Sequence, residues 1–218
     1  MTEPGTTLRA AVFASGGGSN FQSLLDDARS GRSWSPALLI TDRREAGAVS
    51  RAQGAGVPVA VIPTRDRSSD EVATETLAEL EAHRVDVIFL AGYLKLVPRE
   101  VIARYSGRIL NIHPALLPAF GGKGMYGRHV HEAVVAAGVA VTGPTVHLVD
   151  EEYDRGAILA QWPVPVRPGD SPGQVAARVL EVEHWLYPEV AEAVCRRLAT
   201  GRPAAPVHRD HERFTGTA

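Results

Sequence analysis

Asn111-Ile112-His113-Pro114 closes a strand-like run whose apolar part begins at Ile109, and an apolar strand does not end in two polar side chains unless they have partners. Side chains alternate between faces in an extended chain. Asn111 and His113 therefore project together while Leu110 and Ile112 point the other way. Pro114 disfavours the helical region for the residue before it, which keeps His113 extended. The product is a carboxamide beside an imidazole. An amide N–H can stabilise a developing oxyanion, and an imidazole donates or accepts a proton near neutral pH. Spacing alone is also compatible with a polar strand end satisfied by loop backbone.

A second feature with chemical capacity is Ser15-Gly16-Gly17-Gly18-Ser19-Asn20, which follows an apolar strand and opens a helix-like stretch. The glycines let backbone approach an anion, and Ser19 or Asn20 is expected to cap the helix. Free amides with the helix dipole behind them suit a phosphate. No Gly-Lys-Ser/Thr follows, so this is not a Walker loop, and Phe21 breaks the dinucleotide fingerprint at its sixth position. A tight turn without ligand is the alternative; the position at the carboxyl end of the first strand favours the phosphate.

The remaining titratable residues divide less clearly. Asp150, Glu151, Glu152 and Asp154 crowd one loop, and spacing does not select among them. His147 alternates with Thr145 and Val149 on a strand, where it either orients the reaction centre or serves structure. His129 and His131 would diverge by about 200° on a helix, a poor chelating pair. His208 and His211 fall in a polar tail, and Cys195 reads as helix packing.

Positioning these groups requires an α/β fold, because short apolar runs alternate with amphipathic stretches. Strands are expected at 8–14, 37–41, 57–62, 85–90 and 108–112, with helices at 20–30, 46–54, 70–83 and 98–105. Together they make a Rossmann-like parallel sheet in the N-terminal half. The C-terminal half is expected to add a helix at 130–137 and β segments at 145–149 and 158–166. Pro163 and Pro165 suit an edge. A long helix at 172–200 follows, giving a mixed sheet with an antiparallel edge. The chain is read as one domain over 1–218, with halves 8–115 (nucleotide-binding) and 116–203 (folate-binding, on the resemblance below) and a tail, 204–218.

With 23 basic and 25 acidic residues the formal charge is -2, which offers no general attraction to nucleic acid or anionic membrane. No apolar run approaches the roughly 20 residues of a bilayer span, and no secretory signal opens the chain. A single cysteine excludes an internal disulfide and points to a reducing cytoplasm.

Asn111-Ile-His-Pro-Ala-Leu-Leu-Pro118 resembles the signature of the folate-dependent formyltransferases, phosphoribosylglycinamide formyltransferases included. The likeness extends through Ser15–Asn20, Leu90–Lys95, Phe120–Lys123, Thr145–His147, Asp154-Arg-Gly156 and Glu183–Pro188. It implies formyl transfer from 10-formyltetrahydrofolate to glycinamide ribonucleotide in purine biosynthesis, without metal, by a monomer or homodimer. Asn111, His113 and Asp154 would react, with Asp154 raising the His113 pKa so that an imidazolium acts as acid. Gly18, Ser19 and Asn20 would hold phosphate and Glu183 the ribose hydroxyls. Tyr93, Leu94, Lys95, Leu96, Val97, Asn111 and Asp150 would meet the folate, with His147 in support. Relatives often carry an arginine near Ser69 that meets the folate; here Arg65 or Arg67 is the candidate substitute. The rivals are a formyltetrahydrofolate deformylase, expected to need an extra N-terminal domain; a methionyl-tRNA formyltransferase, expected to add a C-terminal one; and a nucleotide-binding module without catalysis.

Overall fold

The computed structural model describes residues 7–29 and 31–207, so the His208 and His211 readings lie outside the described residues. Seven strands form one sheet in the order β3-β2-β1-β4-β5-β7-β8. Strands β1 (Leu8–Phe13), β2 (Trp34–Thr41), β3 (Val59–Val61), β4 (Val87–Leu90) and β5 (Ile109–His113) run parallel. Two antiparallel strands, β7 (Thr145–Leu148) and β8 (Ile158–Gln161), extend the sheet beyond β5. The mixed sheet with its antiparallel edge matches the expected fold class.

Alternation along the central strands builds two cores. Ala10, Val12, Phe89, Leu110 and Ile112 face α1 (Ser19–Ala28), α2 (Gly47–Gly54) and α6 (Pro172–Ala199). Ala11, Phe13, Ile88, Leu90 and Ile109 face α3 (Ser69–Ala82) and α4 (Arg99–Arg104). Both faces are covered, as a parallel sheet requires. Helix α6 begins at a capping box, Ser171 with Gln174, and Pro172 occupies its first turn, where no N–H is needed. Its Tyr187 hydroxyl, fully buried, donates to the carbonyls of Leu90 (3.1 Å) and Leu110 (3.0 Å). That contact fastens the helix to the carboxyl ends of β4 and β5.

Three expectations need correction. Strand β2 begins at Trp34 rather than Ala37, because the irregularity at Pro36 is absorbed by a register shift opposite Ala10 and Ala11. The segment 158–166 is two strands: β8 ends at Gln161, and β9 (Val164–Pro165) leaves the sheet to pair with β6 (Val141–Thr142). Neither Ser19 nor Asn20 caps α1; the N-cap is Gly18 at φ 73°, with no side-chain cap.

Candidate active site

The strand order reverses between β1 and β4, and the two loops leaving their carboxyl ends are tied together. Ser15 N–H donates to Gly92 O (3.0 Å), and Leu94 N–H donates to Ser15 Oγ (3.0 Å). Ligands of open α/β sheets bind at such a switch point. A cleft of about 430 Å³ opens beside it, lined by Tyr93–Val97, Asn111, His113, the 122–127 loop, His147 and the 150–154 loop.

Asn111 and His113 stand on the same face of β5, as alternation demands, and β7 supplies the next partner. His147 is directly opposite Asn111 in the antiparallel register, and its Nε2 lies 3.1 Å from Asn111 Nδ2. His147 Nδ1 donates to Leu148 O (2.8 Å), which leaves Nε2 to accept from the Asn111 amide. One Asn111 amide hydrogen is thereby fixed and the other left for a ligand. His147, open to two roles in sequence, is hydrogen-bonded to Asn111 in the structure.

Asp154 arrives from a distant loop. Its Oδ2 lies 3.6 Å from His113 Nδ1 and its Oδ1 3.5 Å from His147 Nε2. Gly122 N–H donates to Oδ2 (2.9 Å). Two glycines permit this approach. A Cβ at Gly156 would stand 1.8 Å from the Leu148 carbonyl oxygen, and one at Gly121 would stand 2.4 Å from Leu117 Cδ2. An ion pair between Arg99 and Glu151 holds the same loop to α4.

His113 Nε2 donates to Phe120 O (2.8 Å), so Nδ1 is the nitrogen turned to Asp154. Burial pushes the His113 pKa below its ordinary 6.5, against the opposing pull of Asp154 and Phe120; His147 adds to the lowering. The expected rise from the carboxylate is therefore reversed: desolvation wins, and the unliganded imidazole is neutral at pH 7. Burial acts to raise the Asp154 pKa but is outweighed by His147, His113 and the Gly122 amide, which hold it below the ordinary carboxylate range. The pair is a neutral imidazole beside a carboxylate.

The other expected residues are distributed around this centre. Asn20 Nδ2 donates to Glu183 Oε2 (2.6 Å), joining the glycine loop to α6. Glu183 is buried, which pushes its pKa up to about 7 despite Asn20. Tyr93 is half-buried with its ring edge-on to Phe13 (5.3 Å), whereas Leu94 and Leu96 are exposed at 43% and 52%. With Tyr126 and Tyr153, also exposed, they give the cleft an apolar rim. Lys95 Nζ lies 3.7 Å from the buried Asp42 carboxylate, and Asp150 accepts from Glu152 N–H within its own loop. Neither Arg65 nor Arg67 reaches the cleft: Arg67 is held by Glu75 (2.6 Å), and Arg65 lies beside Asp66, both exposed. Sequence reasoning assigned no role to the Phe120 carbonyl, the Gly122 amide or Lys123. Its one available signal was the glycine-rich loop itself, where Phe120, Gly122 and Gly124 have positive φ. Among the described residues, no group of three or more His, Cys, Asp or Glu is arranged to hold a metal ion. Nor is any helix long and apolar enough to cross a membrane.

A carboxamide, an imidazole and a carboxylate thus meet in one cleft at the carboxyl end of β5. The chain belongs to the formyl transferase family, whose model matches residues 8–191. It is 44% identical over 207 residues to the chloroplastic phosphoribosylglycinamide formyltransferase of Vigna unguiculata, and 48% identical over 190 residues to that of Arabidopsis thaliana. Those alignments cover 94% and 86% of the chain but 66% and 65% of the plant proteins. Glycinamide ribonucleotide transformylase 1 of Symbiobacterium toebii superposes with a TM-score of 0.84 at 34% identity, over 95% of this chain and 98% of that one.

Proposed function

We propose that this protein transfers the formyl group of 10-formyltetrahydrofolate to the amine of glycinamide ribonucleotide, a step of purine biosynthesis. The observation that carries this reading is the convergence of Asn111, His113 and Asp154 in one cleft beside the glycine loop. The exposed apolar rim suits a flat heteroaromatic donor, and the loop suits a phosphorylated acceptor. The family's relatives named above carry the same activity in their names.

In this reading the neutral His113 takes, through Nδ1, the proton that the attacking amine must lose. Asp154 stabilises the imidazolium so formed, and the same proton passes to the departing folate nitrogen. Asn111 meets the oxyanion of the tetrahedral intermediate with its remaining amide hydrogen. Gly18, Ser19 and Asn20 hold the phosphate and Glu183 the ribose. Tyr93–Val97, Asn111 and Asp150 bound the folate site. The division into halves 8–115 and 116–203 belongs to the same proposal, although the cleft draws its walls from both. A reducing cytoplasm is proposed from the lone, buried Cys195. Acceptor discrimination tests the assignment. Glycinamide ribonucleotide should exceed its dephosphorylated riboside in kcat/KM by at least 100-fold; equal values would overturn it.

A further inference from the structure

We infer that Arg51 is a positioning residue for acceptor binding: it sets the peptide planes of the glycine loop so that their amides face the acceptor's phosphate. The inference rests on the functional reading above and extends it to a residue of α2, outside the loop. Arg51 Nε donates to the Gly17 carbonyl (2.8 Å), and its Nη1 donates to Gln22 Oε1 on α1 (3.0 Å). One residue earlier in the loop, the Gly16 carbonyl accepts from Ala48 N–H (3.2 Å), also on α2. Two successive carbonyls of the loop are thus drawn to the same helix.

In a planar trans peptide the C=O and the following N–H point in opposite directions. Turning the Gly16 and Gly17 carbonyls toward α2 therefore turns the Gly17 and Gly18 N–H groups away from it. Among the described residues neither amide has a hydrogen-bond partner. Successive free amides in such a turn make a concave anion site. Packing supports the same division of labour. A Cβ on Gly18 would lie 2.8 Å from Ala48 Cα, and one on Gly47 would lie 3.1 Å from Gly17 Cα, so loop and helix meet backbone to backbone. Helix α2 acts as a splint, and Arg51 is its one side-chain bond to the loop backbone among the described residues.

The guanidinium does not need to touch the ligand for this role. Losing it frees the Gly17–Gly18 peptide to rotate, so the effect should fall on the acceptor and spare the folate. The test is calorimetric binding of glycinamide ribonucleotide and, separately, of 10-formyltetrahydrofolate to the whole protein, for wild type, Arg51→Met and Arg51→Lys. Arg51→Met keeps much of the stem but no donor; Arg51→Lys keeps a donor for the Gly17 carbonyl. The expected result is at least a tenfold weaker acceptor Kd for Arg51→Met, an unchanged folate Kd, and recovery of most of the loss in Arg51→Lys. Unchanged acceptor affinity in Arg51→Met would overturn the inference. So would equal weakening of both ligands, or equal loss in Arg51→Lys, since those results mark a packing role only. Wild type that binds folate but no glycinamide ribonucleotide would instead overturn the functional reading on which the inference stands.

Discussion

Replacing Asp154 by asparagine removes one charge and little else. The shape is kept, and an amide oxygen can still accept from Gly122 N–H. What is lost is the attraction between a carboxylate and the imidazolium that His113 becomes when it takes the proton. At the observed 3.6 Å, Coulomb's law gives about 5 kcal/mol for an effective dielectric near 20 and about 1 kcal/mol in bulk water. Both side chains are largely buried, at 4% and 12% exposure, so the larger end governs. At about 1.4 kcal/mol per tenfold, kcat should fall by about 10³ to 10⁴. The pH profile carries a second, independent sign. In the proposed mechanism neutral His113 is the active form, so kcat/KM falls as the pH drops through the His113 pKa, which burial sets below 6.5. Asp154 opposes that lowering, so Asp154→Asn moves the acid limb to still lower pH. Steady-state kinetics from pH 4.5 to 8.5 read both effects. A loss of less than threefold, or an acid limb displaced upward, would refute this assignment of charge.

Glu183 supplies a pH-dependent counterpart. Its folded pKa of about 7 lies above the ordinary 4.5, so the folded state is favoured with the carboxyl protonated, and that advantage is lost as pH rises toward and through 7. Glu183→Gln should match wild type in Tm at pH 5, exceed it at pH 8, and weaken acceptor binding at both. Gly156→Ala forces a Cβ to within 1.8 Å of the Leu148 oxygen. It should cost about 1–3 kcal/mol in urea unfolding and reduce turnover by at least tenfold, because Asp154 moves with the loop. Tyr187→Phe removes a buried donor from the Leu90 and Leu110 carbonyls. A cost of about 1–2 kcal/mol is expected, visible as a Tm lower by about 2–8 °C.

The parallel half was legible because its strands are apolar on both faces and its helices are punctuated by glycine and proline. Period-two alternation put Asn111 and His113 together without any help from the family. What failed was of two kinds. The pair β6 and β9 has two residues a side, too short for any periodicity, and the first residues of β2, Trp34 to Pro36, join the sheet only because a register shift accommodates Pro36. The second kind is long-range. Asp154 lies 41 positions from His113; spacing did not select it from its acidic loop and only the resemblance named it, because the close approaches at Gly121 and Gly156 that bring it there exist only in the folded backbone. The charge state of His113 was misread for the same reason. A neighbouring carboxylate is readable from a motif, but the burial that outweighs it is not.

The most direct measurement follows the carbon. The protein is given 10-formyltetrahydrofolate labelled with ¹³C in the formyl group, with and without glycinamide ribonucleotide, and the label is located by NMR. The expected result is N-formyl product in step with folate consumed, negligible formate without acceptor, and neither product at a comparable rate from His113→Ala. Label appearing as formate at the same rate with or without the amine, or full transfer by His113→Ala, would contradict it.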